Sequence, residues 1–177
     1  MSTAQNLLNT DVMLDVTKIE AKSGTYVLVF YFARKKEIEI GKLGKFLFCP
    51  GFYLYIGSAF GSGGLRARIK RHFRKSKKTH WHIDYLRSEI EIFEVGFSIQ
   101  GKKEECYWVS LFESIHGITC PVPKLGSSDC SCKSHLFYCS QKPNFLSFQS
   151  CIRCDLERIV VRESEISRAR AGNITSR

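Results

Sequence analysis

The chain lacks any long hydrophobic run. No apolar stretch approaches the ~18 residues of a membrane-spanning helix, and residues 1–20 are too acidic and too weakly apolar for a secretion signal. We therefore expect an intracellular, cytoplasmic protein, nucleoid-associated if it binds DNA, that is neither secreted nor membrane-bound. Internal repeats are also lacking, and 177 residues fit one compact domain with tails.

The absence of a secretion signal argues against disulfide bonds among the eight cysteines. Reduced thiols and a metal site are the alternatives. Cys49 and Cys106 stand among apolar residues, so we expect both to be small core residues.

The segment 126–139 combines soft and polar ligand types. Its candidate zinc ligands, or supports of a neighbouring site, are Asp129, Cys130, Cys132 and His135. Further cysteines follow at positions 139, 151 and 154. Thiolates and imidazoles are the ligands that zinc prefers, but the spacing matches no standard zinc finger. A zinc site and a set of polar groups that orient site residues or bind nucleic acid therefore both stay open.

Acidic residues are absent from positions 66–78, which contain eight Lys or Arg residues of a chain with net charge +10. Such a cluster favours a phosphate backbone and predicts DNA as the partner, with RNA or a merely solvated helix face as alternatives. The side chains expected to contact nucleic acid are Ser58, Arg66, Lys70, Arg71, Arg74, Lys75, His80 and His82. His80, His82 and Asp84 allow a metal site as a second interpretation, although a polar rim of the basic groove is favoured.

The hydrophobic pattern predicts an α/β (α+β) fold with a small, mainly antiparallel, three-stranded core sheet flanked by helices. Strands are expected over 24–32, 52–56 and 90–99, with an extra hairpin over 37–48. Helices are expected over 65–73, 103–116 and 155–171. The domain is placed at 23–140, between an N-terminal extension (1–22) and a C-terminal extension (141–177) that is partly helical or disordered.

A strand, a glycine-rich turn and a basic helix form the centre of this pattern. Alternation along the strand puts Tyr53 and Tyr55 on one face. In the helix, Arg68 and His72 are four residues apart and share a face. Glu105 lies on the core-facing side of the later helix, where a carboxylate needs a partner.

Two half-motifs carry a resemblance to a known group. Gly24-Thr25-Tyr26 and Tyr55-Ile56-Gly57 resemble those of the GIY-YIG nuclease superfamily. The chain is most similar to an uncharacterised branch of small proteins, also found fused to endonuclease III-like repair enzymes. That similarity extends over about 24–138 and includes Gly-Gly-Leu-x-x-Arg-x-x-Arg-His, His-Trp-His-Ile-Asp-Tyr-Leu, Glu-Cys and Ser-Asp-Cys-x-Cys-x-Ser-His-Leu. As an ordered set these motifs are specific.

The resemblance implies a GIY-YIG-like domain and an endonuclease that hydrolyses DNA phosphodiester bonds, with DNA repair as its expected role and a repair protein as an expected partner. It implies a site composed of Tyr26, Tyr55, Arg68, His72 and Glu105. Glu105 would hold Mg²⁺ or Mn²⁺ and Arg68 would clamp the phosphate. One tyrosine would relay the proton if the metal or Arg68 lowered its pKa.

Two features differ from typical members of the superfamily. Positions 27–54 make an unusually long separation between Tyr26 and Tyr55, which the extra hairpin must occupy. Phe112 stands about where typical members carry a polar residue late on the glutamate helix. A nucleic-acid-binding module with the same fold and weak or no cleavage activity is therefore the alternative function, and a zinc-stabilised interaction domain is a third.

Overall fold

The structure, a computed structural model, describes residues 18–144, 152 and 156–160. Its strands are β1 (Gly24–Phe32), β2 (Lys36–Glu39), β3 (Lys45–Phe48), β4 (Gly51–Ser58), β5 (Glu91–Ile99), β6 (Leu136–Cys139) and β7 (Glu157–Val160). Its helices are α1 (Gly64–Phe73), α2 (Glu105–Glu113) and two short 3₁₀ helices, Gly41–Leu43 and His82–Leu86. Within this part of the chain, no helix is long and apolar enough to cross a membrane.

The predicted α/β class is confirmed, and the sheet is larger than expected. Five antiparallel strands lie in the order β6-β4-β1-β5-β7, so the three expected strands form the centre. β6 lies in the segment 126–139, where no strand is predicted, and β7 falls within the predicted 155–171 helix. Both are four-residue strands at sheet edges, which add few side chains to any periodic signal. The remainder of the predicted 155–171 helix, most of the N-terminal extension and Cys151 and Cys154 lie outside the described residues.

The central sheet buries both faces, because apolar residues occupy alternating positions of β1 and β4 on each side. One face, here called the tyrosine face, carries Tyr26, Tyr53 and Tyr55, and α1 and the 82–86 helix pack on it. The opposite face packs against α2 through Trp108. The predicted shared face of Tyr53 and Tyr55 is confirmed.

The extra hairpin β2–β3 is confirmed and packs on the tyrosine face. Ile38 and Phe48 lie in the same core cluster as Tyr53, and the Phe48 and Tyr53 ring centroids are 5.6 Å apart. The insertion between Tyr26 and Tyr55 therefore extends the core and leaves the pairing of β1 with β4 intact.

A glycine turn joins β4 to α1 by docking on the start of β1. Leu65 N donates to Lys22 O at 2.8 Å, and Ala59 N donates to Gly24 O at 2.8 Å. Gly64 has φ +53°, and an added Cβ would collide with the Lys22 backbone. The turn is thereby fixed at the end of the sheet where β1 begins and β4 ends.

Two sequence predictions were wrong in detail. The helix expected over 103–116 is α2, which spans only Glu105–Glu113. Cys49 and Cys106 are exposed instead of buried in the core. Cys106 lies on the outward side of α2, because the helical period that buries Glu105 and Trp108 turns its neighbour away.

Candidate active site

A cavity of about 330 Å³ lies at the end of the sheet where β4 leads into α1. Three of the five predicted catalytic residues line it together: Tyr55 from β4, Arg68 from α1 and Glu105 from the start of α2. The rest of its lining is Gly57, Ser58, Trp81, His82, Lys103, Gly126, Ser128, Asp129 and His135. A second cavity of about 330 Å³ is mainly apolar, is lined by residues such as Leu54 and Phe112, and contains none of the predicted site residues.

Residues 64–86 form one side of the cavity, here called the arginine wall. The guanidinium carbon of Arg68 lies 4.1 Å from the Trp81 ring centroid, and that of Arg71 lies 4.0 Å from it. Both contacts have cation–π geometry. Because Arg68 makes no hydrogen bond or ion pair with any other described residue, its N–H groups remain available in the cavity.

Asp84 holds the arginine wall together from inside. Its carboxylate accepts hydrogen bonds from Arg71 at 3.0 and 2.9 Å, pairs with Lys77 at 2.6 Å, and caps the backbone N–H groups of His80 and Trp81. Burial alone would raise the pKa of Asp84. The hydrogen bonds from Arg71 and Lys77 outweigh that effect and hold the pKa well below its ordinary value of 3.8.

Glu105 enters the cavity from the opposite side of the sheet. The backbone N–H of Glu104 donates to Thr25 Oγ1 at 3.3 Å, which ties the start of α2 to the start of β1. Glu105 is only 9% exposed, and its carboxylate forms no hydrogen bond or ion pair with another described residue. A buried carboxylate with free oxygens suits Mg²⁺ or Mn²⁺, which bind through one or two carboxylates and keep several waters.

Tyr26 lies beneath the cavity and not in its lining. It is 1% exposed, and its hydroxyl shares a 2.7 Å hydrogen bond with Nε2 of His72. Gly57 separates this pair from the cavity, and an added Cβ at Gly57 would overlap the Tyr26 hydroxyl. The predicted grouping is therefore layered: Tyr55, Arg68 and Glu105 surround the space, and Tyr26 and His72 support its floor.

The electrostatics do not give a tyrosine with a lowered pKa. Burial raises the pKa of Tyr55 far above its ordinary value of 10, and the nearby Arg68 only partly offsets this. Burial also raises the pKa of Tyr26. Burial and the nearby Lys77 lower the pKa of His72 to about 3, so its imidazole is neutral. Both phenols therefore keep their protons, contrary to the expected lowering by Arg68.

With this geometry established, comparison with known proteins gives one match. Residues 25–156 match the family described as a domain of unknown function, DUF123. The chain belongs to this family. No curated protein and no solved structure matches it.

Some of the predicted nucleic-acid contacts in this DUF123 domain bind other groups of the protein, whereas others are exposed or line the cavity. Arg71 binds Asp84, Arg66 Nε donates to Ile19 O at 2.7 Å, and Lys75 pairs with Glu91. Lys70, Arg74 and His80 have exposed side chains, whereas Ser58 and His82 line the cavity. The eight predicted nucleic-acid contacts thus include side chains that already have partners within the protein, namely Arg66, Arg71 and Lys75. Asp84 is committed to Arg71 and Lys77, so it does not join His80 and His82 in a metal site.

The opposite side of the cavity consists of residues 104–106 and 126–135, here called the cysteine wall. The side chains of Cys106, Cys130, Cys132 and His135 present ligand atoms that all lie within 4.8 Å of one another. Such a group can hold a metal ion. The group contains three of the four predicted residues together with Cys106, and Asp129 lines the cavity, as the alternative of a residue that supports the neighbouring site anticipates.

Sequence reasoning missed Trp81 and Lys103 in the cavity and Cys106 in the cysteine cluster. For Cys106 a signal existed, since it directly follows Glu105 in the Glu-Cys motif. Trp81 was marked only as part of the His-Trp-His-Ile-Asp-Tyr-Leu motif. Its role depends on tertiary packing of the 82–86 helix beside α1, which no local period predicts.

Proposed function

We propose that this chain is a metal-dependent endonuclease that hydrolyses phosphodiester bonds in DNA. One observation carries the proposal. Tyr55, Arg68 and Glu105 converge on one cavity of about 330 Å³, and none of the three polar groups makes a hydrogen bond or ion pair with another described residue. Buried polar groups in proteins are normally paired. A phenol, a guanidinium and a carboxylate left available together match the needs of a ligand that carries a phosphate and a cation.

Arg68 can clamp the scissile phosphate. A guanidinium matches phosphate oxygens bidentately, and stacking on Trp81 presets its orientation. Its fixed positive charge would stabilise the charge that develops on the phosphorane oxygens. Glu105 would hold Mg²⁺ or Mn²⁺, which supplies Lewis-acid charge stabilisation and a more acidic water when bound.

Tyr55 is suited to donate a hydrogen bond and not to act as a base. Burial keeps its hydroxyl protonated, so it can hydrogen-bond to a phosphate oxygen or to the leaving oxygen. The Tyr26–His72 pair would support the floor of the cavity and not carry the proton of the attacking water, because the Tyr26 hydroxyl is buried beneath Gly57 and holds a 2.7 Å hydrogen bond to His72.

A nucleic-acid-binding module without cleavage is the alternative, and two observations favour it. Tyr26 is 1% exposed, so water reaches its hydroxyl only if Gly57 and its neighbours shift. Phe112 is 2% exposed and stacks on Phe137 with ring centroids 5.6 Å apart, so no side chain at that position contacts a substrate. The basic surface near α1 would serve binding in either case.

Cleavage of branched, nicked and single-stranded DNA by the purified full chain, with Mg²⁺ or Mn²⁺, tests the proposal. We expect Glu105→Gln and Tyr55→Phe each to lower cleavage by at least about 100-fold, the effect of removing one charge-stabilising group. Glu104→Gln and Tyr53→Phe are the matched controls. They make the same changes at the residue before Glu105 and in the same strand as Tyr55, but Glu104 pairs with Lys102 and Tyr53 donates to Cys49 O. Binding without cleavage of any substrate would leave the binding module.

A further inference from the structure

We propose that Cys106, Cys130, Cys132 and His135 form a structural zinc site that fixes the cysteine wall. Three thiol sulfurs and one imidazole nitrogen lie within 4.8 Å of one another, and Cys130 Sγ is 3.3 Å from His135 Nε2. Four soft or borderline ligands of this kind make a closed tetrahedral Cys₃His site, the type zinc uses for structure and not for catalysis. The inference does not depend on nuclease activity.

The four ligands come from two segments that are distant in sequence. Cys106 lies in the first turn of α2, and the other three lie in the connection that leads into β6. That connection has little regular structure of its own between Val122 and Ser134. A metal that joins both segments closes a long loop, which is where a crosslink constrains the unfolded chain most.

Backbone hydrogen bonds already hold the His135 end of the cluster. Ile56 N donates to His135 O at 3.0 Å, and His135 N donates to Leu125 O at 2.8 Å. The imidazole is thus anchored beside β4, and the thiols of Cys130 and Cys132 extend the cluster toward α2. No corresponding hydrogen bond fixes the Cys106 thiol among the described residues outside the cluster, so the metal would supply that connection.

Zinc in this site would also affect the cavity, because residues that line the cavity are next to the zinc ligands in the sequence. Glu105 directly precedes Cys106, while Asp129 directly precedes Cys130. His135 itself lines the cavity on its way into the cluster. Zinc in this site would therefore orient three groups of the cavity without touching a substrate.

Differential alkylation of the full chain tests the site without any variant. The protein is purified, its zinc is measured, and thiols are alkylated before and after treatment with a chelator. We expect one zinc per chain and protection of Cys106, Cys130 and Cys132 until the chelator is added, because bound thiolates react slowly. The exposed Cys49 should be modified in both samples. Equal modification of Cys106 in both samples, or a disulfide between cluster cysteines, would overturn the proposal.

Cobalt titration locates the ligands independently. Co²⁺ alone, added to reduced, metal-free protein, should give the absorption of a tetrahedral site with cysteine thiolates. We expect Cys132→Ser to weaken Co²⁺ and Zn²⁺ affinity by more than the ~10–100-fold that loss of an outer partner costs. Cys49→Ser, and the double variant Cys151→Ser with Cys154→Ser, should leave the titration unchanged. Loss of binding in the double variant, with Cys132→Ser unaffected, would place the metal elsewhere and refute the site.

Discussion

The two walls of the cavity are held by different kinds of interaction. In the arginine wall, Asp84 forms hydrogen bonds and ion pairs with Arg71 and Lys77, and Trp81 lies against both Arg68 and Arg71. In the cysteine wall, the corresponding centre is a group of three thiols and one imidazole, of which only the imidazole of His135 is buried. Side chains of the arginine wall thus bind one another directly, whereas the cysteine wall contains a group that could hold a metal ion.

This difference separates binding from chemistry. The side chains proposed to bind phosphate lie on the arginine wall, and the carboxylate proposed for metal-dependent hydrolysis lies on the wall for which zinc is proposed. If both proposals hold, removing the zinc should leave phosphate affinity unchanged and disturb the alignment of Glu105. The comparison can be tested by disturbing each wall separately.

Asp84→Asn should have the largest effect on stability. Removing one partner of a buried ionic cluster leaves Arg71 and Lys77 uncompensated, and we expect unfolding free energy to fall by about 3 kcal/mol. Denaturant unfolding at pH 7 measures this. The control is Glu89→Gln, because the exposed Lys36–Glu89 pair at 2.6 Å should contribute less than ~1 kcal/mol.

The pH dependence of the same variant supplies a second check. The pKa of Asp84 is held below its ordinary value of 3.8, so its stabilisation is present above about pH 4 and is lost as the pH falls further. The difference in unfolding free energy between wild type and Asp84→Asn should therefore shrink below pH 4. A difference that stays constant down to pH 2 would show that packing, and not charge, links Asp84 to the wall.

Zinc removal should affect only the cysteine wall. With a chelator, we expect amide hydrogen exchange in residues 104–108 and 126–135 to accelerate at least ~10-fold, because metal binding and local folding are coupled there. Peptides from residues 64–86 should exchange as before. Re-addition of zinc should restore the slow exchange, and acceleration of both walls together would contradict their independence.

The sequence predicts the parts of the site that depend on short-range periodicity, and it does not predict contacts between segments that are distant along the chain. Alternation in β4 placed Tyr53 and Tyr55, and the four-residue spacing in α1 placed Arg68 beside His72, because both periods are local. The meeting of Glu105 with Tyr55 came from motif resemblance. The approach of Cys106 to Cys132 depends on where α2 starts relative to the 126–135 segment, and sequence spacing contains no information on that distance.

The burial of Tyr26 also escaped sequence reasoning. Its motif partner Tyr55 has the same residue type and lies on the same face, yet only Tyr55 lines the cavity. The cause is the register: Tyr26 lies opposite Gly57 on the neighbouring strand, and its ring fills the space that a side chain there would occupy. Two tyrosines of one motif pair therefore have different access to a substrate.

Substitution of Trp81 should have the smallest effect on stability and is the most specific test of the arginine wall. Trp81→Leu removes the aromatic ring that lies about 4 Å from both the Arg68 and Arg71 guanidinium carbons, and we expect a loss of ~1–2 kcal/mol in unfolding free energy. Trp81→Phe keeps a smaller ring and should lose less. Because Asp84 still holds Arg71, the remaining effect should fall on Arg68.

DNA affinity measured at fixed salt tests whether Trp81 acts through Arg68. Trp81→Leu should weaken binding by about as much as Arg68→Ala does, and combining the two changes should add little, since groups that act as a unit are not additive. If the two losses simply add, Trp81 contributes to binding in its own right and does not act by seating Arg68. Trp81 would then itself contact the nucleic acid, because stacking on a base is the ordinary use of an aromatic side chain in a basic groove.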